Sequence, residues 1–209
     1  MGREVMVRVK VEAPLSFGLK LRIPGWCPEF HLKVNGRAEL LKPERGYIRI
    51  DREWKDGDRV ELNLSMPIEL IKAHPEVIED AGCVAMQRGP LVYCLEQIDN
   101  LVPPGPGIPL EGRSLADRIA LHRIVIPKGA KFTESFEAEL LDGVVVVSGD
   151  AEYDSGWDAH AVTPVPASAQ ELYRRVRGER RPFKIKAIPY FAWQNRTLGE
   201  MRVWIRADS

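Results

Sequence analysis

The chain has 209 residues, of which 44% are hydrophobic and 29% are charged, a balance typical of a folded globular protein and not of a disordered one. Lysine plus arginine number 30 and aspartate plus glutamate number 30, so the formal net charge is zero and gives no general attraction to nucleic acid or to an anionic membrane. No segment approaches the roughly 20 apolar residues of a membrane-spanning helix. The length allows one large β domain or two small ones.

The first third of the sequence alternates apolar and polar residues, which predicts a succession of short β-strands. Four segments place their apolar side chains on one face: Val5, Val7, Val9 and Val11; Phe17, Leu19, Leu21 and Ile23; Phe30, Leu32 and Val34; and Val60, Leu62, Leu64 and Met66. Residues 47–51 predict a further short strand, and Asn35-Gly36 is a signal for a two-residue hairpin turn. This spacing is typical of antiparallel strands in a sandwich or a barrel.

Beyond Pro67 the pattern becomes less regular. The runs 83–86 and 91–95 are continuously apolar, which predicts strands buried on both faces. Residues 101–112 are rich in proline and glycine, so they predict a loop outside any sheet. The remaining predicted elements are strands at 122–127, 144–147, 184–190 and 201–206. Residues 167–176 favour a loop with a helical turn, with a short helix as the alternative.

The histidines and cysteines show no pattern of a metal site. None of the four histidines has a ligand-type neighbour at metal-binding spacing, which favours structural or solvent-exposed roles for His31, His74, His122 and His160. The cysteine count is odd and lacks CxxC spacing, so no disulfide framework or zinc signature is predicted for Cys27, Cys83 and Cys94. Cysteines in apolar runs behave as small buried hydrophobes, and free thiols fit a reducing compartment.

Two charged segments have a simple structural interpretation. Glu79-Asp80 is an acidic pair, but neighbouring residues on a strand point to opposite faces, so a solvated turn is favoured over paired carboxylates that cleave glycosides. The basic run 174–181 favours a solvated loop or a docking surface for another domain, with an anion or nucleic-acid patch as the alternative.

Five tryptophans raise the question of sugar binding, because an exposed aromatic ring on a β-sandwich can stack on a sugar. Trp26, Trp193 and Trp204 adjoin apolar strand positions and are predicted to lie in the core. For Trp26, the preceding Pro24-Gly25 turn predicts an indole folded back onto the sheet and buried. Trp54 and Trp157 lie in loop-like contexts and are therefore the candidate sugar-stacking residues.

A set of motifs, in this order, resembles the C-terminal region of a bacterial glycoside hydrolase family: family 127, the β-L-arabinofuranosidase type, formerly a domain of unknown function (DUF1680). Each motif alone is weak, but the ordered set is specific and covers the whole chain. The motifs are Leu21-Arg22-Ile23-Pro24-Gly25-Trp26, Gly46-Tyr47-Ile48, Trp54-Lys55-Asp56-Gly57-Asp58, Leu64-Ser65-Met66-Pro67, Gln87-Arg88-Gly89-Pro90-Leu91-Val92-Tyr93-Cys94-Leu95-Glu96 with Asp99-Asn100, Ile188-Pro189-Tyr190-Phe191-Ala192-Trp193-Gln194-Asn195-Arg196, and Gly199-Glu200-Met201-Arg202-Val203-Trp204.

The resemblance implies a retaining hydrolase that releases β-L-arabinofuranose or a related sugar from plant-derived glycans. It implies an N-terminal helical (α/α)6 barrel with a zinc-bound cysteine nucleophile, a glutamate among the zinc ligands and a further glutamate as acid/base, followed by two β-sandwich domains. None of the barrel's catalytic motifs occurs in this sequence. The resemblance therefore assigns no catalytic, cofactor-binding or metal-binding residue here, and implies zinc only for the catalytic domain.

Residues and resemblance together predict an all-β chain of two antiparallel, jelly-roll-like β-sandwich domains in tandem. Alternation stops near residues 72–82, where His74-Pro75 and Gly82 punctuate the chain. The expected domains are 1–76 and 77–209, with the loop at 101–112 in the second. By comparison with the family, the first sandwich is expected to lack N-terminal strands, which leaves an open edge and favours self-association.

The predicted function is that of a non-catalytic accessory region, inactive alone, that supports the helical barrel and takes part in dimerisation. The alternative is a stand-alone carbohydrate-binding module. A third reading, a complete small hydrolase, requires turnover by this chain alone. A glycan is a possible partner, whereas nucleic acid and membrane are not expected. The sequence shows no signal peptide at its start, where Arg3-Glu4-Val5 already begins a strand, so a cytoplasmic location is expected.

Overall fold

A computed structural model of the chain describes residues 3–101, 121–154 and 180–208. Over these residues the secondary structure consists of β-strands and short 3-10 turns, which confirms the all-β class. The strands are β1 (Arg3–Arg8), β2 (Leu15–Arg22), β3 (Phe30–Val34), β4 (Arg37–Glu39), β5 (Tyr47–Trp54), β6 (Arg59–Leu64), β7 (Ile68–Ile71), β8 (Cys83–Arg88), β9 (Leu91–Glu96), β10 (Ile124–Ile126), β11 (Phe132–Glu137), β12 (Val144–Asp154), β13 (Arg180–Pro189), β14 (Met201–Arg202) and β15 (Ile205–Ala207). No helix in the described part is long and apolar enough to span a bilayer.

The chain divides into two compact units. The first comprises residues 1–68 together with Arg88–Pro90, and the second comprises Glu69–Gln87 together with the remainder from Leu91. This division falls N-terminal to the boundary expected at 76/77. The predicted loop at 101–112, the predicted helical turn at 167–176, and most of the basic run at 174–181 lie outside the described residues.

The first unit contains two antiparallel sheets that share one core. One sheet has the order β1-β6-β3-β4, and the other is the pair β2-β5. Alternation explains the packing of the valines of β1 and of the residues that follow it. Val9 is buried, and Val5, Val7 and Val11 pack against the core. Leu32, Val34, Ile48, Ile50, Val60, Leu62 and Leu64 contribute the same core from the other strands.

The hairpin between β3 and β4 confirms the turn predicted from sequence. Asn35 and Gly36 both have positive φ, 52° and 77°, as the two central residues of a type I′ turn require. The Asn35 side chain fixes the turn to the neighbouring loop, because its Nδ2 donates to Asp58 Oδ1 at 2.9 Å and its Oδ1 accepts from the Arg59 backbone N–H at 2.8 Å.

The second unit is built on a closed ring of strands, which we call the strand ring. Its order is β9-β13-β12-β10-β15-β8, and the pairing of β8 with β9 closes it. β14 adds to β9, β7 adds to β8, and β11 adds to β12 on the outside of this path. In the ring, β9–β13, β13–β12, β12–β10 and β15–β8 pair antiparallel, whereas β10–β15 pair in parallel.

The ring corrects the expectation of two jelly-roll-like sandwiches. A sandwich keeps two separate sheets, whereas in the second unit the path returns to its first strand and the sheet has no break. The last predicted strand, 201–206, is also corrected: it is divided into β14 and β15, which pair with different neighbours, β9 for one and β10 and β8 for the other.

The continuously apolar runs of β8 and β9 are buried as predicted except at their starts, where Cys83 and Leu91 are half-buried and Val92 is 41% exposed. Val84, Ala85 and Met86 are buried in β8, and Tyr93, Cys94 and Leu95 are buried in β9. For β9 the reason is a second core cluster on one face, formed by Cys94, Leu140, Val144, Val146, Ile188 and Ala192. Trp193, Met201 and Val203 pack against this cluster, so the segment that follows β13 covers one face of the ring strands.

Candidate functional site

Charged side chains from two of the quoted family motifs, the one beginning at Gln87 and the one beginning at Ile188, meet at the end of β9. Glu96 is the last residue of β9, Asp99 closes the 3-10 turn that follows, and Arg196 comes from the segment after β13. Lys186 of β13 and Glu137 of β11 complete the group. We call these five residues the Arg196 cluster. The cluster was not predicted from the sequence, although three of its members, Glu96, Asp99 and Arg196, lie in the quoted motifs.

Arg196 bridges the two buried carboxylates of the cluster. Its Nε donates to Glu96 Oε2 at 3.1 Å, its Nη1 donates to Asp99 Oδ1 at 3.0 Å, and its Nη2 contacts both carboxylates. Lys186 Nζ lies 2.9 Å from Asp99 Oδ1 and donates to both oxygens of Glu137 at 3.1 Å. The side chains of Glu96 and Asp99 are only 6% and 9% exposed, so these ion pairs lie largely out of water.

Backbone groups attach the segment after β13 to this cluster. The Gln194 N–H donates to Glu96 Oε1 at 2.9 Å, and the Glu200 N–H donates to Gln97 Oε1 at 3.1 Å. Asn100 is fully buried and joins two strands: its Nδ2 donates to the carbonyls of Glu96 and Lys186, and its Oδ1 accepts from the Lys186 N–H. The cluster therefore fixes residues 194–200 against β9 and β13.

In the Arg196 cluster, the pKa shifts of Asp99, Lys186 and Arg196 all favour the charged form of the side chain. Burial raises the pKa of Asp99, but hydrogen bonds from Arg196 and Lys186 outweigh it and leave that pKa below its usual value. Hydrogen bonds to Asp99 and Glu96 raise the pKa of Arg196 against the effect of burial. Glycoside hydrolysis needs one carboxylic acid that is protonated near neutral pH. The lowered pKa makes Asp99 unsuitable for that role.

The space next to the cluster is also small. A cavity of about 50 Å³ is bounded by Glu96, Gln97, Trp193 and Leu198 among others. Pockets that bind drug-sized ligands have volumes of about 300–1,000 Å³. The geometry therefore fits a structural clamp and not a substrate pocket.

Among the cysteines, the environment of Cys94 opposes nucleophilic chemistry. Cys94 is fully buried, and burial, reinforced by the charge of Glu96, raises the pKa of its thiol to about 12. Cys27 is buried and its Sγ donates to the Glu29 carbonyl at 3.0 Å, while Cys83 is half-buried. A nucleophilic cysteine requires an accessible thiolate, which the Cys94 environment opposes.

The residues that the structure describes do not fit a zinc site. Nowhere in the described ranges do three histidine, cysteine, aspartate or glutamate side chains lie close enough together to hold a metal ion. His31, His74 and His122 lie in these ranges, and His160 lies outside them. Glu79 and Asp80 form part of a short 3-10 turn, Ile78–Asp80, with Glu79 exposed.

The structure overturns one of the two predicted sugar-stacking residues. Trp54 is fully buried, and its Nε1 donates to the Phe17 carbonyl at 3.0 Å. The Phe17 ring stacks on it at 5.7 Å between centroids, and the Arg52 guanidinium lies 5.2 Å from its ring centroid. A covered indole cannot present a face to a sugar. Trp157 lies outside the described residues, so its role stays a prediction.

The three tryptophans predicted to be core residues are half-buried. Trp26 packs against the core of the first unit without being enclosed by it, so the prediction of a buried indole is wrong in degree. Trp193 packs in the same manner on the second core cluster, and Trp204 is also half-buried. Of the basic run, Arg180 and Arg181 are described, as the first two residues of β13. Arg180 Nη1 donates to both carboxylate oxygens of Asp208 at 2.8 Å.

Comparison with known proteins decides the family. Residues 2–66 match the sequence model described as the beta-L-arabinofuranosidase, GH127 middle domain, and residues 68–206 match that of the glycoside hydrolase family 127 C-terminal domain. The chain belongs to glycoside hydrolase family 127. The family resemblance seen in the motifs is thus confirmed, and the two family 127 domain models meet between residues 66 and 68.

The individual relatives agree with this assignment. A non-reducing end beta-L-arabinofuranosidase from Bifidobacterium longum subsp. longum is 35% identical over 196 residues, which are 93% of this chain and 26% of that protein. The crystal structure of a family 127 beta-L-arabinofuranosidase from Geobacillus stearothermophilus T6 matches with a TM-score of 0.78 and 38% identity, over 98% of this chain and 28% of that one. A further family 127 beta-arabinofuranosidase structure matches with a TM-score of 0.73 and 28% identity, over 99% and 30%. The chain thus spans under a third of the length of each of these relatives and corresponds to their middle and C-terminal domains.

Proposed function

We propose that this chain is a non-catalytic accessory region of a family 127 hydrolase and supports a catalytic helical barrel. The observation that carries the proposal is the match of its two parts to the middle and C-terminal domains of the family. The relative from Bifidobacterium longum is a non-reducing end beta-L-arabinofuranosidase. By analogy, the parent enzyme would release terminal β-L-arabinofuranose from plant glycans.

The chemistry of the described residues supports an accessory role. Acid/base hydrolysis would require a carboxyl group that is protonated near neutral pH, whereas Asp99 is held ionised by Arg196 and Lys186. Nucleophilic attack would require a thiolate, whereas the Cys94 thiol has a pKa of about 12 and is enclosed. These groups instead hold strands and loops in place, as a supporting domain requires.

The proposal includes the setting of the parent enzyme. Any zinc would belong to the catalytic barrel, since the cysteines and carboxylates described here do not converge on a metal position. The free, reduced cysteines are compatible with a cytoplasmic location. Besides the barrel, a second copy of the protein is the proposed partner.

The proposal is tested by assaying this chain alone. The purified polypeptide is incubated with an aryl β-L-arabinofuranoside, and its zinc content is measured by atomic absorption. We expect no turnover above the uncatalysed rate and no stoichiometric zinc. Turnover together with one equivalent of zinc per chain would contradict the accessory role, and would show that residues of this chain form a complete active site.

A further inference from the structure

The 3-10 turn Tyr190–Ala192, which follows β13, places two aromatic rings together at the surface. With three residues per turn, side chains at i and i+3 lie on the same side, so Tyr190 and Trp193 stand next to each other. Their ring centroids are 5.8 Å apart and their planes are inclined by 30°. Tyr190 is 45% exposed, whereas Trp193 is half-buried and packs on the second core cluster. The result is an exposed ring supported by an anchored one.

Polar side chains border these rings. Gln194 and Asn195 follow directly and are exposed. The Asn195 Nδ2 donates to the carbonyls of Ala192 and Trp193 at 3.2 and 3.1 Å, which holds this amide beside the aromatic pair. Its Oδ1 and the Gln194 amide are neutral hydrogen-bonding groups of the kind that pair with hydroxyls. Arg196, the nearest charged residue in the sequence, is engaged in the Arg196 cluster.

The whole arrangement is fixed before any ligand arrives. The Trp193 N–H donates to the Tyr190 carbonyl at 3.1 Å, and the Gln194 N–H donates to Glu96 Oε1 at 2.9 Å. Arg196, two residues further on, is anchored by Glu96 and Asp99. A surface held in this way loses little conformational entropy on binding, and that favours recognition of a small ligand.

We propose that Tyr190, supported by Trp193, is a stacking surface for a neutral sugar ring, with Gln194 and Asn195 contacting its hydroxyls. A sugar ring presents C–H bonds on its face and hydroxyls around its rim. The C–H bonds suit the negative face of an aromatic ring, and the hydroxyls suit amides at its border. None of these four side chains carries a charge near neutral pH, which favours a neutral sugar over an acidic one. The site stands independently of the proposed accessory role, because it requires no catalytic barrel.

The experiment is an NMR titration of the whole ¹⁵N-labelled chain with arabinan oligosaccharides. We expect saturable shifts of the Trp193 indole N–H and of the backbone amides of 190–195. Tyr190→Ala should weaken binding about two- to tenfold, the range expected for one aromatic contact. Tyr190→Phe should retain it, because the ring remains. Gln194→Ala, which keeps the backbone N–H that binds Glu96, should weaken binding without disturbing the fold.

The matched control is Phe191→Ala. Phe191 is 59% exposed, but as the next residue of the same 3-10 turn it points to a different side. Binding should therefore be unchanged. L-Arabinitol, which has the hydroxyls without the ring, is the ligand control and should cause no shifts at these positions.

Three outcomes would overturn the site: no saturable shift with the oligosaccharide, equal shifts with arabinitol, or equal losses in Tyr190→Ala and Phe191→Ala. The last would indicate a general apolar surface that docks another protein. These readouts are separate from the turnover assay. Loss of the sugar site leaves the accessory role intact, and turnover by the chain would contradict the accessory role without affecting the sugar site.

Discussion

Trp54 and Trp26 are both packed on the core of the first unit, but they differ in how much of the indole is enclosed. Trp54 is fully buried with a hydrogen-bonded Nε1, whereas Trp26 is half-buried. We expect Trp54→Ala to lower the free energy of unfolding by about 3–5 kcal/mol, since it removes a large buried ring and leaves a cavity. Trp26→Ala should cost about 1–2 kcal/mol, because less apolar surface is lost from the interior. Urea denaturation of both variants measures the two losses in the free energy of unfolding. Equal losses would contradict the expected difference between Trp54 and Trp26.

Arg196 is the residue on which the Arg196 cluster depends. Its removal would leave two buried carboxylates without their shared partner, so we expect Arg196→Met to cost about 3 kcal/mol at neutral pH. The matched control is Arg49→Met, which breaks the exposed ion pair with Asp51 (side chains 62% and 59% exposed) and should cost no more than about 1 kcal/mol. Chemical denaturation compares the two. If Arg49→Met lowered the free energy of unfolding as much as Arg196→Met, the burial of an ion pair would not determine how much stability is lost when it is broken.

Asp99 makes the stability of the second unit depend on pH. Its pKa is lowered in the folded state, so its contribution is complete above the unfolded value of about 3.9 and is lost as pH falls through the folded value. Asp99→Asn removes this contribution. We therefore expect the variant to be less stable than the parent chain near pH 6, with the deficit shrinking as the pH falls below about 4. Urea denaturation midpoints of both chains over this pH range measure the difference in stability. A difference that grows as the pH falls would contradict a lowered pKa for Asp99.

The single residues also show why parts of the site escaped sequence analysis. Trp54 stands before Lys55-Asp56-Gly57, a loop-like context, yet it is the last residue of β5 and lies beneath Phe17. Its burial depends on a partner strand far away in the sequence. Glu96, Asp99 and Arg196 all lie within the quoted motifs, but their ion pairs join positions that are 100 and 97 residues apart. Spacing along the chain does not reveal such pairs.

Among the elements, the β3–β4 hairpin offers a direct test of turn conformation. A Cβ at Gly36 would meet no atom within 4 Å, yet φ is +77°, so Gly36→Ala should cost about 1–2 kcal/mol through backbone strain alone. Gly25 is the matched control: its Cβ would also meet nothing, and its φ is not in the left-handed region. Gly25→Ala should leave stability unchanged or raise it by up to about 1 kcal/mol. Thermal melts of the two variants provide the comparison, and equal effects would exclude the conformational explanation.

Strands were predictable from sequence where one face is buried and the other is exposed to solvent. The valines of β1 and the hairpin at Asn35-Gly36 follow directly from alternation and turn chemistry. Closure of the strand ring was not predictable, since β15 pairs in parallel with β10 and antiparallel with β8. A strand of three residues such as β15 carries too little sequence pattern to predict which strands it pairs with.

For the whole molecule, the open sheet edges of the first unit bear on self-association. Within the described residues, β1 pairs only with β6, and β2 and β5 pair only with each other. Exposed apolar side chains lie on these edge strands, among them Met6 at 60% and Leu15 at 56%. An unpaired edge with apolar side chains is a template for another chain, so the predicted self-association stays a prediction with this physical basis.

Light scattering over a range of concentrations tests this expectation. We expect a mass above that of one chain, and Met6→Lys should lower it by placing a charge on the edge strand. Leu40→Lys is the matched control, because Leu40 is 99% exposed but lies outside the strands, so the mass should not change. A monomer at every concentration would mean that these edges are not association sites.

The position of β15 in the strand ring has a consequence for the order of events during synthesis. Val84 of β8 is translated early and its partner Ile205 late, and the ring closes only when residues 205–207 enter between β10 and β8. Until then the nascent chain carries both strands with free hydrogen-bonding groups facing the gap. Closure of so long a loop is slow, and an unclosed intermediate is prone to aggregate. A polypeptide that terminates before residue 205 therefore cannot complete the ring, and it keeps the unpaired strand edges that favour aggregation.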